Sequence, residues 1–141
     1  MVIDTSALLC ILQDEPERRD FNRLIESADF CRISTATFVE ASIVVEARYG
    51  TDGTRDLDLL MAKAGIEQVP LNEEQAGLAR RAFRLYGKGR HPAGLNYGDC
   101  FSYALARSLE QPLLFKGDDF TKTDIGPAAG RTQVTNYVKM G

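Results

Sequence analysis

An α/β fold built on a central, mostly parallel sheet is predicted for this 141-residue chain by two observations. Short apolar runs alternate with segments of helical periodicity, and glycine, proline and asparagine fall between them where elements begin or end. Met1 to Ile3 reads as the first strand, followed by Asp4 and by Thr5-Ser6, which suit the cap of a helix starting near Ala7. Pro16 is placed to open a second helix in its first turn, and Phe21, Leu24, Ile25 and Ala28 supply its buried stripe at i, i+3, i+4 and i+7. Cys31 to Ser34 forms the next strand. Ala36 to Tyr49 reads as a helix with Gly50 at its C-cap, and Leu57, Leu60, Met61 and Ala64 form another stripe. Glu67 to Val69 follows as a strand, then a helix capped by Asn72, with Ala79, Ala82, Phe83 and Tyr86 as its stripe and Gly87 at its C-cap. Gly87 to Gly98, with four glycines and Pro92, has the composition of a mobile surface loop. Asn96 is a candidate N-cap with Asp99 as its N3 partner, and Leu113 to Phe115 and Thr132 to Thr135 are the remaining candidate strands.

At 44% apolar residues the chain supports one ordinary core, so a single domain over residues 1–141 is expected. No run of about 18 apolar residues occurs and no basic, then apolar, leader opens the chain, which predicts a cytoplasmic protein without membrane contact. Cys10, Cys31 and Cys100 are odd in number and widely spaced, as suits buried thiols rather than disulfides. With His91 the single histidine, a nitrogen and sulfur zinc site is excluded, and any catalytic metal must be held by oxygen. The net charge of −3 conceals an asymmetry: no Asp or Glu occurs from Gln75 through Gly98, a stretch that carries Arg80, Arg81, Arg84, Lys88 and Arg90.

Four acidic positions stand beside strand ends or helix starts. Asp4 follows the first strand directly, at the carboxyl edge where open parallel sheets bind ligands. Glu40 is surrounded at helical spacing by Ala36, Ile43, Val44 and Ala47, a costly place for a lone carboxylate without a proton, a hydrogen bond or a cation. Glu46 falls on another face and reads as an ordinary surface residue. Asp99 is held in the first turn of a helix. Asp118 and Asp119 follow the strand Leu113-Leu114-Phe115 and a glycine turn, and adjacency alone does not rank them. Carboxylates that converge repel one another, and a hard divalent cation, Mg²⁺ or Mn²⁺, is the natural compensation.

The blocks Met1-Val2-Ile3-Asp4-Thr5-Ser6-Ala7-Leu8, Ser34-Thr35-Ala36 leading to Glu40, Leu95-Asn96-Tyr97-Gly98-Asp99-Cys100-Phe101 and Leu113-Leu114-Phe115-Lys116-Gly117-Asp118-Asp119-Phe120 resemble, in order, those of the PIN-domain family, and specifically the toxin ribonucleases of VapBC toxin–antitoxin pairs. The resemblance spans nearly the whole chain and is weakest from about Gly50 to Arg90. It implies a PIN-like α/β/α sandwich, a carboxylate-bound Mg²⁺ or Mn²⁺, endoribonuclease activity, a cognate VapB-type antitoxin that blocks the site, and a homodimer. Residue by residue, it places Asp4, Glu40 and Asp99 in the three core acidic positions and Asp118 or Asp119 in the fourth.

The mechanism expected is metal-assisted hydrolysis of phosphodiester bonds, with Asp4 and Asp99 as direct metal ligands and Glu40 and the Asp118/Asp119 pair acting through water, on a second ion or on the attacking water. Arg80, Arg81, Arg84, Lys88 and Arg90 would contact the RNA backbone, Tyr86, His91 or Tyr97 would stack on unpaired bases, and Thr5 or Ser6 would touch phosphate. A phospho-acceptor receiver domain, whose lysine Lys116 would imitate, needs an acidic pair after its first strand and an acceptor Asp ending a middle strand, and neither is present. An aspartic protease is β-rich, against the helical stripes. A noncatalytic RNA-binding or interaction module on the same fold is the remaining alternative.

Overall fold

The computed structural model describes residues 1–128. Its elements are β1 (Val2–Ile3), α1 (Thr5–Leu12), α2 (Arg18–Ser27), β2 (Cys31–Ser34), α3 (Thr35–Ala64), β3 (Ile66–Val69), α4 (Glu73–Tyr86), α5 (Tyr97–Leu109) and β4 (Leu113–Leu114), followed by a 3₁₀ turn at Asp119–Lys122. The candidate strand Thr132 to Thr135 lies outside the described residues. Every strand pairing is parallel, in the order β3-β2-β1-β4, so β1 is a central strand, as its position ahead of Asp4 requires.

Successive strand residues point to opposite faces of the sheet, and here this divides the core in two. Ile3 and Leu114 pack with Leu8, Phe21, Ile33 and Leu57 on the α1–α3 side. Val2 and Leu113, their neighbours in sequence, pack with Leu95, Ala104 and Leu105 on the α4–α5 side. Burial on both faces is the reason that β1 and β4 are short, continuous apolar runs, whereas the edge strand β3 exposes Glu67 and Gln68. Among the described residues no helix is long and apolar enough to cross a membrane, and Cys10, Cys31 and Cys100 are free and buried.

Punctuation held at most positions and shifted at three. Gly50 has φ 65° and ψ −147° inside α3, so it separates two helical arms where a C-cap was expected to end the first. Pro16 lies ahead of α2, whose N-cap is Glu17. Finally, α1 starts at Thr5 and is capped by Asp4 itself, in place of Thr5-Ser6. The Gly87 to Gly98 segment is more structured than its composition implies. It is closed by backbone hydrogen bonds from Lys88 N to Leu95 O (2.9 Å) and from Leu95 N to Tyr86 O (2.9 Å), with Ala93 and Leu95 buried beneath.

Candidate active site at the carboxyl edge of the sheet

Because β1 ends at Ile3, Asp4 projects from the carboxyl edge of the sheet, and it is only 3% exposed. One carboxylate oxygen accepts from the Ser6 backbone N–H (3.0 Å) and the Ser6 hydroxyl (2.6 Å). The other accepts from the Ser102 hydroxyl of α5 (2.5 Å), which also lies 3.3 Å from the Thr37 hydroxyl. Capping and site geometry are thus one arrangement: helix α1 fixes the rotamer of Asp4.

Glu40 lies on α3, and Thr5 Oγ1 donates to its Oε1 at 2.5 Å. Its other side faces Gly98, where a Cβ would overlap the carboxylate. The buried stripe of this arm is Thr37, Ala41 and Val45, while Val39 and Ile43 are 53% and 61% exposed. The surroundings of Glu40 therefore differ from the buried apolar face expected from its spacing. Asp99 completes a capping box with Asn96: Asn96 N donates to Asp99 Oδ2 and Asp99 N to Asn96 Oδ1, both at 3.0 Å. Asp119 and Asp118 are both exposed at the outer rim.

Electrostatics tie these acids together. Burial, reinforced by the charges of Asp4, Asp119 and Glu40, pushes the Asp99 carboxyl up to about 7 despite its hydrogen bond from Asn96. Glu40 is raised by burial and by Asp4, opposed by the Thr5 hydrogen bond. Asp119 is raised by partial loss of water and by Asp118 and Asp4. Of the adjacent pair, Asp119 is the one coupled to both Asp4 and Asp99. Asp118 engages the fold through its backbone carbonyl, which accepts from Thr121 N (3.2 Å) and Thr121 Oγ1 (2.6 Å).

The structure thus brings Asp4, Glu40, Asp99 and Asp119 into one electrostatic group. Thr5, Ser6, Ser102 and Gly98 belong with them, and sequence reasoning missed the last two. Their signal was present in the i, i+4 spacing of Gly98 and Ser102, which places both on one side of α5. Ser6 Oγ is already engaged by Asp4 and by Lys116 N (2.9 Å), and Thr5 Oγ1 by Glu40, so both hydroxyls orient carboxylates and are not free for phosphate.

Arg80, Arg81, Arg84, Lys88 and Arg90 are all exposed, and among the described residues none of them is ion-paired. Arg80, Arg81, Arg84 and Arg90 line an open groove of about 550 Å³ with Gly77 and Phe83. The Arg90 guanidinium stands 5.5 Å from the centre of the Phe83 ring. Tyr86 is half-buried and makes ring contacts with His91 (5.1 Å) and Tyr103 (5.8 Å), whereas Tyr97 is 79% exposed.

An oxygen-only donor set suits a hard divalent cation. Among the described residues no three acidic, His or Cys side chains converge closely enough to chelate an ion by themselves, so an ion held here would take one or two carboxylates directly and keep water in its other positions.

The PIN-domain family model matches residues 1–126. VapC ribonuclease Mb0640 of Mycobacterium bovis and ribonuclease VapC30 of Mycobacterium tuberculosis are each 53% identical to this chain over 129 residues, covering 92% of it and 98% of the relative. Ribonuclease VapC of Mycolicibacterium smegmatis is 52% identical over 125 residues, 89% of this chain and 97% of its own. The crystal structure of Mycobacterium tuberculosis VapC20, described as a sarcin-ricin loop cleaving toxin, matches with a TM-score of 0.70 over 88% of this chain and 95% of that one; at 14% identity this is a likeness of fold. With the family model covering all four acidic positions and relatives above half identity over nearly their full length, the chain belongs to the PIN-domain family, in its VapC branch.

Proposed function

We propose that this protein is an endoribonuclease toxin that hydrolyses RNA at a divalent cation, Mg²⁺ or Mn²⁺, held by Asp4 and Asp99, with Glu40 and Asp119 completing the site. The observation that carries this reading is Asp4, fixed at the carboxyl edge of the sheet by Ser6 and Ser102, with Glu40, Asp99 and Asp119 around it, each raised first by burial and further by the charge of Asp4. Four carboxylates without a cation are strained at neutral pH, and a cation relieves the strain. When bound, the ion supplies a water of lowered pKa and positive charge against the scissile phosphate. Asp4, immobilised by three donated hydrogen bonds, presents a fixed ligand geometry. Asp99 would hold the ion in its deprotonated form. Glu40, with Oε1 engaged by Thr5, keeps Oε2 available to accept the proton of the attacking water. The exposed arginines of α4 neutralise phosphates along the strand.

Pairing with a VapB-type antitoxin and self-association as a homodimer are part of the same proposal. The exposed Val39 and Ile43, flanking Glu40 on α3, offer apolar surface beside the site to such a partner. The test is incubation of the purified protein with total RNA, with Mg²⁺ or Mn²⁺ and with a chelator. Discrete fragments are expected only with metal, and their loss in Asp4→Asn and Asp99→Asn, which remain folded. Full cleavage by either variant across a range of metal concentrations would exclude the assignment, and RNA bound but never cut would favour the noncatalytic module.

A further inference from the structure

The geometry points to a base-binding subsite for unpaired RNA in the cavity between α4 and the start of α5, with Tyr97 as the stacking platform that sets base preference a few nucleotides from the cut. This rests on the ribonuclease reading above and deepens it. The cavity, about 470 Å³, is lined almost wholly by apolar surface from Ala76, Ala79, Phe83, Tyr97 and Phe101, with Arg80 at its edge. Arg80 and Phe83 also line the arginine groove, so the two depressions are contiguous.

Three features select the occupant. Tyr97 is 79% exposed although it opens a helix whose next turn is in the core, and Phe101, one turn on, holds its ring edge-to-face at 4.8 Å. A large aromatic face braced by a second ring and left open to solvent is what a nucleobase stacks on. Secondly, no carboxylate lines either depression, and the unpaired cations Arg80, Arg81, Arg84 and Arg90 continue from the pocket along one track. That sequence, aromatic pocket then cation track, is complementary to a base followed by its phosphate backbone. Thirdly, Tyr97 and Asp99 both lie in the first turn of α5, but two residues apart, so their side chains leave the helix on nearly opposite sides. A base seated on Tyr97 therefore belongs to the same RNA strand a few nucleotides from the phosphate that Asp99 addresses. The arginine track beside the apolar pocket calls for a polyanion, so RNA is a better match than a neutral peptide.

Two measurements on the intact protein decide this. The first maps fragment ends from total RNA cut by wild type, Tyr97→Ala, Tyr97→Phe and Arg84→Ala. Tyr97→Ala should flatten the base preference at one position within a few nucleotides of the cut roughly tenfold, the size of one stacking contact. Tyr97→Phe should restore that preference, and Arg84→Ala should slow all sites alike. The second needs no cleavage: quenching of 2-aminopurine in a short unpaired oligoribonucleotide should be strong with wild type and Tyr97→Phe and weak with Tyr97→Ala. Unchanged end profiles and unchanged quenching in Tyr97→Ala overturn the subsite. Unchanged profiles combined with loss of inhibition by the cognate antitoxin overturn it in favour of a protein-docking pocket. A wild type that leaves RNA intact defeats the ribonuclease reading instead, and the quenching measurement still decides whether Tyr97 takes a base.

Discussion

Gly98 shows how one absent side chain shapes the site. It precedes Asp99 in the first turn of α5, and a methyl group there would occupy the space of the Glu40 carboxylate. The obstacle is the far end of a flexible side chain and not backbone, so the helix tolerates Gly98→Ala, and alanine's better helix propensity offsets part of any strain. Gly98→Ala should therefore change the melting temperature little while lowering metal-dependent kcat/KM at least tenfold, because Glu40 is displaced. A variant as active as wild type would mean that Glu40 has no part in the chemistry. Burial of the thiols is equally local: Cys10 is pushed up to about 12 by burial and by Glu17 and Glu15, and Cys100 to about 11, so neither is a nucleophile at neutral pH.

Between elements, the loop after β4 is tied to the loop before α2 by one lysine. Lys116 Nζ lies 2.9 Å from Glu15 Oε2 and 3.3 Å from Glu17 Oε2. Glu17 is fully buried and its carboxylate has no hydrogen-bond partner, so the ammonium is its compensation. The backbone N–H of the same Lys116 donates to Ser6, which holds Asp4, so this junction also supports the site. Lys116→Met would strand a buried charge and should cost about 3 kcal/mol in urea unfolding, with the double variant Glu17→Gln/Lys116→Met recovering most of it. Equal stability of the single variant and wild type would contradict the pairing. None of this was legible in the sequence, where Lys116 and Glu17 stand far apart on either side of a parallel crossover. What was legible is what local rules govern: Asp4 at a strand end, Asn96 and Asp99 three residues apart in a capping box, and helical stripes at Phe21 and Leu57. The choice of Asp119 over Asp118, the solvent-facing side of α3 around Glu40, and the engagement of Ser102 with Asp4 across the sheet edge depend on tertiary orientation, which periodicity does not encode.

For the molecule as a whole, the acidic edge makes stability depend on protons and metal together. The Asp99 carboxyl is raised from its ordinary value near 4 to about 7, so the metal-free fold binds a proton more tightly than the unfolded chain does. Its contribution is present in full below pH 4 and is lost as pH rises through 7, which makes the metal-free protein weaker at neutral pH than at pH 5 as far as this group is concerned. Metal binding must displace that proton, so affinity for Mn²⁺ should fall as pH drops below 7. Asp99→Asn removes the charge while its side-chain oxygen can still accept from Asn96 N–H, so the cap is largely kept. The central claim, that these carboxylates form a cation site, is therefore tested most directly by thermal melting at neutral pH of wild type and Asp99→Asn, each metal-free and with saturating Mn²⁺. The metal-free variant should melt higher than metal-free wild type, by an amount corresponding to roughly 1 kcal/mol. Mn²⁺ should raise the wild type clearly more than the variant. A variant that melts lower and gains as much from Mn²⁺ as wild type would show that Asp99 is a capping residue alone and that the cation site is not where the carboxylates converge.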